Sequence, residues 1–181
     1  MQIVNSNIFG NRSFVLIAGP CVIESFEHSV FMAKSIKKIT DALNILFIFK
    51  SSFDKANRSS INSFRGPGIE KGIEILDKVK KEVGVLITSD IHEPYQAELV
   101  KDVVDIIQIP ALLSRQTDLI KAAEKTKLIV NIKKGQFLSP WDMKNVVNKI
   151  NHENIILTDR GTQFGYNNLV ADMRAIPIMQ S

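Results

Sequence analysis

The sequence predicts an α/β fold in which parallel strands alternate with helices. Three observations lead there. Six short apolar runs have strand length, segments between them carry apolar residues at helical spacing, and each run ends in a polar or ionisable residue. A chain of 181 residues holds one sizeable core, so residues 1–181 read as a single domain.

The elements follow in order. Ile3-Val4 and Asn7-Ile8-Phe9-Gly10-Asn11 predict a short hairpin on a Gly-Asn turn. Phe14–Ala18 is the first strand, stopped by Gly19-Pro20, and a helix near Phe26 to Ala42 follows with Val30, Ala33, Ile36 and Ile39 on one face. Ile45–Phe49 is the second strand. Its polar loop ends at Gly66-Pro67-Gly68, before a helix from Ile69 to about Glu82. Val85–Thr88 leads into Ser89-Asp90-Ile91-His92-Glu93-Pro94 and a short helix near Tyr95 to Val100. Val104–Ile109, ended by Pro110, precedes a helix near Gln116 to Lys125. Leu128–Ile132 is the fifth strand. Ser139-Pro140 then starts a helix with Ser as cap and Pro in the first turn. Ile155–Thr158 is the sixth strand, and a last helix is expected near Asn168 to Ile176.

Repeated strand–helix units allow two architectures, a (β/α) barrel and an open doubly wound sheet. Neither a GxGxxG fingerprint nor a Walker loop is present, which weakens the nucleotide-binding versions of the open sheet. Composition narrows the class further. Hydrophobic residues make up 45% and charged residues 23%, and no apolar run reaches the roughly 18 residues that span a bilayer. The amino terminus lacks the basic start and apolar core of a signal peptide, so no membrane partner and a cytoplasmic address are expected. A net charge of +4 suits small anionic substrates. Its cations are dispersed with no basic arm, so nucleic acid is not expected as a partner. One cysteine, Cys21, excludes an internal disulfide and a Cys-only metal cage, while a mixed ligand set stays open.

Ligands of parallel α/β folds sit at the carboxyl ends of the strands. Those ends offer Cys21 and Glu24, Lys50 and Ser52, Asp90 and His92, Gln108, Lys133 and Arg160. Side-chain alternation puts Lys50 with Ser52, Asn131 with Lys133, and Thr158 with Arg160 on common faces. Polar residues at strand ends also arise simply from meeting solvent. Lys50, Lys133 and Arg160 together instead point to a polyanion, with Lys55 and Arg58 adding cations in the loop after the second strand.

The loop Phe53-Asp54-Lys55-Ala56-Asn57-Arg58-Ser59-Ser60, followed by Arg65-Gly66-Pro67-Gly68, resembles the 3-deoxy-D-manno-octulosonate 8-phosphate synthase family. So do Ala18-Gly19-Pro20-Cys21-Val22-Ile23-Glu24-Ser25, Asp90-Ile91-His92-Glu93-Pro94, Gln108-Ile109-Pro110-Ala111 and Arg115-Gln116-Thr117-Asp118. Lys133-Lys134-Gly135-Gln136-Phe137 and Asp159-Arg160-Gly161-Thr162-Gln163-Phe164-Gly165-Tyr166 complete the series. The resemblance runs through essentially the whole chain. It implies a (β/α)8 TIM-barrel fold, here with about six β/α units after the hairpin and the barrel incomplete.

The resemblance also implies a reaction: phosphoenolpyruvate condenses with arabinose 5-phosphate and water, releasing phosphate, in lipopolysaccharide sugar synthesis. By the same carry-over, Lys50, Ser52, Lys55, Gln108, Lys133 and Arg160 hold phosphoenolpyruvate. Asn57, Arg58, Ser59 and Asp90 hold arabinose 5-phosphate, and Lys50, Asp90, Lys133 and Arg160 form the catalytic set. Arg115 reaches the sugar phosphate of a neighbouring subunit in a homotetramer. Cys21 matches the metal-dependent subclass, in which a Cys at this position ligates zinc, iron or manganese; the metal-independent subclass has Asn. His92 belongs to the Asp-x-His-Glu-Pro motif and is not assigned as a ligand.

Relatives of this kind continue beyond the sixth unit, so the chain reads as a truncated barrel with an incomplete metal site, and weak or absent synthase activity by itself is expected. A non-catalytic protein retaining a phosphate half-site or serving as an interaction module stays open. A 3-deoxy-heptulosonate 7-phosphate synthase is disfavoured, because that family typically has Lys-Pro-Arg-Thr where this chain has Lys55-Ala56-Asn57-Arg58.

Overall fold

The computed structural model describes residues 14–181. The hairpin expected over residues 3–11 lies outside the described residues. Six strands, β1 (Val15–Ala18), β2 (Leu46–Lys50), β3 (Leu86–Asp90), β4 (Ile106–Ile109), β5 (Ile129–Lys133) and β6 (Ile155–Thr158), follow one another in the sheet in chain order. That sequential order separates the two architectures. A doubly wound sheet reverses its strand order at a switch point, whereas a (β/α)8 barrel lays its strands side by side in sequence. The pairs β1–β2, β2–β3 and β5–β6 are parallel. The chain has the (β/α)-barrel architecture, with six strand–helix units in these residues.

Contacts divide the chain into two compact units, one of Met1–Asp90 with Leu99–Ile106 and one of Ile91–Glu98 with Ile107–Ser181. In the first unit α1 (Phe26–Ala42) packs on β2 and on α2 (Ile69–Val83). Ser25 caps α1 by accepting from the His28 amide at 3.1 Å. Glycine closes α2: Gly84 takes a left-handed φ of 69° and returns its N–H to the Lys80 carbonyl. Phe47, Phe49, Leu76 and Val79 are buried, and Ile48, also buried, lies on the other face of β2 with Lys50.

Phe53 is fully buried and serves as the hub of the long loop after β2. Its carbonyl accepts from the Gly68 amide at 3.1 Å, and the Lys55 amide donates to the Arg65 carbonyl at 2.7 Å. Gly72, on the first turn and a half of α2, lies so close that a Cβ there would sit 2.2 Å from the Phe53 Cβ. The start of the loop is therefore sewn to its end.

In the second unit α4 (Thr117–Lys125) follows β4, and Leu119, Ile120 and Ala123 are buried, as are Ile129, Val130 and Ile132 of β5. Between them in sequence, α3 (Pro94–Val100) precedes β4. Ser139 caps as expected, in a reciprocal capping box with Asp142. The element it starts is a 3-10 turn, Pro140–Asp142, that runs into the short α5 (Met143–Val147).

The last helix starts later than expected. Residues 168–174 are not helical: β7 (Thr162–Gln163) pairs antiparallel with β8 (Leu169–Val170), and α6 spans Ala175–Gln180. Gly161, Gly165, Tyr166 and Asn167 all have φ between 50° and 82°, so the chain reverses where a helix was expected. Pro177 then sits in the first turn of α6, where no amide donor is needed. Among the described residues no helix is long and apolar enough to cross a membrane.

The Phe53–Gly72 contact yields a direct test. Gly72→Ala is expected to lower stability to urea by about 1–3 kcal/mol, the usual cost of forcing a methyl into packed space. Gly68→Ala meets nothing within 4 Å and bears only the strain of its φ of 86°. Equal stability of Gly72→Ala and the unaltered chain would contradict the packing.

Candidate active site

Strand register builds the first cluster. Lys50 is the last residue of β2 and stands level with Thr88 on β3, so Ser52 and Asp90, two residues further on, are brought side by side. Ser52 Oγ donates to Asp90 Oδ2 at 2.9 Å. The same oxygen accepts from Lys50 Nζ at 2.9 Å and from Lys55 Nζ at 2.8 Å. Lys55 also reaches Asp90 Oδ2 at 3.0 Å, with Lys50 at 3.7 Å from that oxygen. Lys55 is only 7% exposed and Asp90 5%. Thr88, on the same strand face as Asp90 by alternation, has a buried hydroxyl without a hydrogen-bond partner.

The Gly-Pro-Cys segment is laid against this exit. A Cβ on Gly19 would stand 2.1 Å from the Lys50 carbonyl oxygen, so only glycine permits the approach. Ser51 Oγ donates to the Pro20 carbonyl at 2.8 Å, the Ile23 amide donates to the Ser52 carbonyl at 3.0 Å, and Val22 forms a parallel bridge with Ser52. Burial works to lower the Lys55 pKa, but the charge and hydrogen bond of Asp90 outweigh it, with a smaller contribution from Cys21. The net direction is upward from the ordinary 10.5. Lys55 is thus an ammonium at neutral pH, a fixed positive charge and not a base.

Asn57, Arg58 and Ser59 lie on the exposed part of the loop. Arg58 Nε donates to the Phe64 carbonyl at 3.2 Å, and Arg65 pairs with Asp54, its Nε 2.8 Å from Oδ1. Cys21 is exposed, and among the described residues no group of three or more His, Cys, Asp or Glu gathers to hold a metal ion. Among the described residues Cys21 thus offers one thiol as a candidate soft ligand.

In the second unit a hydrogen-bonded row crosses three strands. Thr158 Oγ1 donates to Asn131 Oδ1 at 2.7 Å, and Asn131 Nδ2 lies 3.4 Å from Gln108 Oε1. Gln108 and Asn131 are each 2% exposed. One residue pair further along, Lys133 is level with Thr158 in register and half-buried, and Arg160 follows, exposed, in the next segment. Arg115 is exposed; its carbonyl accepts from Lys149 Nζ at 2.8 Å. His92 lies half-buried with its amide donating to Gln96 Oε1 at 2.7 Å.

In the sequence Asn131 and Thr158 stand out only as face-mates of the cations, and Lys134 only as a member of the Lys133-Lys134-Gly135-Gln136-Phe137 motif, with no role of its own. Asn131 had a readable signal, a lone amide inside an otherwise apolar strand. Lys134 had none, because two adjacent lysines at the end of a strand look like a solvated end.

The unit also holds a cavity of about 870 Å³ lined by residues such as Ile155, Leu157, Ile176 and Met179. No Lys or Arg lines it, so it does not suit a phosphate.

The chain matches the family model described as "DAHP synthetase I family" over residues 2–181. It is 57% identical over 175 residues to a 2-dehydro-3-deoxyphosphooctonate aldolase of Trichlorobacter lovleyi, covering 95% of this chain and 64% of that protein. With the protein of the same name from Rickettsia canadensis it shares 57% over 182 residues, 99% of this chain and 66% of the relative. The Cyanothece relative, also of that name, is 54% identical over 178 residues, 97% of this chain and 65% of its own length. The chain thus spans just under two thirds of these relatives.

The Asp90 cluster generates a stability test. Asp90→Asn leaves buried ammoniums without their carboxylate and is expected to cost about 3–5 kcal/mol in urea unfolding at neutral pH. The Lys55 value is raised in the folded chain, so its stabilisation is complete below 10.5 and fades as pH climbs through the raised value. The gap between the two proteins should therefore narrow above 10.5. A gap that stays constant would show that Lys55 does not draw on Asp90.

Proposed function

Because the chain belongs to the DAHP synthetase I family, we propose that it carries the phosphoenolpyruvate-binding part of a 2-dehydro-3-deoxyphosphooctonate aldolase. The reaction joins phosphoenolpyruvate to D-arabinose 5-phosphate: the enol carbon bonds to the aldehyde carbon, water adds at the phosphate-bearing carbon, and the bond to phosphate breaks. The products are 3-deoxy-D-manno-octulosonate 8-phosphate and phosphate. The observation that carries this reading is the buried group of Lys50, Ser52, Lys55 and Asp90 at the exits of adjacent strands.

Two ammoniums facing one carboxylate leave a formal excess of positive charge in a nearly dry site, which suits a ligand with carboxylate and phosphate oxygens. Negative charge moves toward the aldehyde oxygen and the departing phosphate during condensation. Ammoniums already fixed in place lower that barrier without reorganising. Lys55, held protonated, serves as such a charge. In the second unit the motifs assign Gln108, Lys133 and Arg160 to phosphoenolpyruvate. Asn57, Arg58, Ser59 and Asp90 are assigned to the sugar, and Arg115 to its phosphate. The 2-dehydro-3-deoxyphosphooctonate aldolase name shared by the three relatives supports arabinose 5-phosphate over erythrose 4-phosphate.

Calorimetric titration with phosphoenolpyruvate is the test. Lys50→Ala, Lys133→Ala and Arg160→Ala should each weaken binding roughly ten- to a hundredfold, as expected for loss of one hydrogen bond to a charged group. Binding indifferent to all three substitutions would remove the proposal. Once phosphoenolpyruvate is bound, arabinose 5-phosphate should give a second heat that erythrose 4-phosphate does not.

A further inference from the structure

Lys134 is a buried lysine that the proposed chemistry does not use. Its side chain is 1% exposed, yet it immediately follows Lys133, the half-buried last residue of β5. Its Nζ lies 2.7 Å from the Gly161 carbonyl oxygen and 3.3 Å from those of Gly135 and Leu138. An ammonium has three donors, and three carbonyls take them. No hydrogen remains for a substrate. Asp159 Oδ1 stands 3.7 Å away and supplies the counter-charge, while Asp159 Oδ2 accepts from the Gly161 amide at 3.0 Å.

The backbone repeats the link. The Lys134 amide donates to the Thr158 carbonyl at 2.8 Å, carrying the β5–β6 pairing past the end of β5, and the Gln163 amide donates to the Gln136 carbonyl at 3.0 Å. Gly161 has a φ of 74°, and a Cβ there would meet the Val170 carbonyl oxygen at 2.9 Å, so only glycine fits where this segment passes β8. Arg160 is thus flanked by Asp159 and Gly161, both tied to Lys134, while its own side chain stays exposed.

We propose that Lys134 is a positioning residue: it clamps the segment after β6 to the segment after β5 and so sets where Arg160 stands relative to Lys133. This rests on the reading that Lys133 and Arg160 bind phosphoenolpyruvate. A lysine acting through Arg160 differs measurably from one that only stabilises the fold, because its effect vanishes when Arg160 is absent.

The experiment is a double-mutant cycle in the 181-residue chain, read by calorimetric titration with phosphoenolpyruvate. Lys134→Met keeps the length of the buried side chain and removes the clamp. It is expected to weaken binding about tenfold with Arg160 present and by less than about twofold in the Arg160→Ala background, a coupling in the range of contacting residues. Equal losses in both backgrounds, or no loss with Arg160 present, would overturn the role. Should Lys134→Met fail to fold, Asp159→Ala, at a partly exposed site, removes the counter-charge and frees the Gly161 amide. The same cycle then applies: loss only with Arg160 supports the clamp, and no loss or an uncoupled loss defeats it. Absence of phosphoenolpyruvate binding by the unaltered chain would take down the functional reading and this role together. Binding that ignores Lys134 but depends on Arg160 takes down this role alone.

Discussion

Two ammonium groups bonded to one hydroxyl repel each other, and the exit of β2 depends on the carboxylate that reconciles them. Ser52 Oγ has two acceptor positions and one donor hydrogen. Lys50 and Lys55 fill the first two and Asp90 takes the third. The hydroxyl is saturated, so each of the four side chains fixes the others. A charge buried to this degree without a partner would be released by deprotonation or by unfolding. The β2–β3 register is what delivers Asp90 to the required spot. Sheet pairing and charge compensation are here one constraint.

The surrounding backbone removes the freedom that would let the cluster relax. Gly19 admits the Lys50 carbonyl, Ser51 ties the Pro20 carbonyl, and Phe53 roots the loop under α2. Beyond that root the loop changes character. Residues 56 to 62 are exposed and include Asn57, Arg58 and Ser59.

Much of this was legible in the sequence, for a definable reason. Strand and helix periods are local, so β6 matches its predicted bounds and α1 its full extent, while β2, β3 and β5 each run one or two residues further than their apolar runs. The shift occurs because Lys50, Asp90 and Lys133 keep extended backbone although they are not apolar. Side-chain alternation also put Lys50 with Ser52 and Asn131 with Lys133. What was hidden is non-local. Nothing in the segment after Ser89 announces that Asp90 is the counter-ion of one lysine on another strand and a second in the loop beyond it. Likewise Lys134 has the same local chemistry as Lys133, and only the fold decides that one is enclosed. The turn before β8 was missed because Tyr166 and Asn167 adopt left-handed backbone that side-chain-bearing residues seldom take, so the apolar Leu169-Val170 read as the start of a helix.

The two units stabilise buried lysine in different ways, and the difference bears on which lysines can serve an anion. Lys134 gives its three hydrogens to backbone carbonyls, which cannot move away without undoing the chain path. Lys50 and Lys55 are held by a hydroxyl and a carboxylate on side chains, whose partners can be exchanged for those of a ligand. An entering phosphate or carboxylate brings the negative charge that Asp90 now provides, so it can share the ammoniums without leaving either one bare. The same entry brings that ligand beside Asp90, and like charges at that distance repel in a dry site. Binding is then favoured only for a ligand whose anionic groups reach the lysines while its neutral or electrophilic part faces the carboxylate. For the ligand proposed above, that asymmetry would make the cluster of charges an orienting device, selecting not merely an anion but an anion presented by one end.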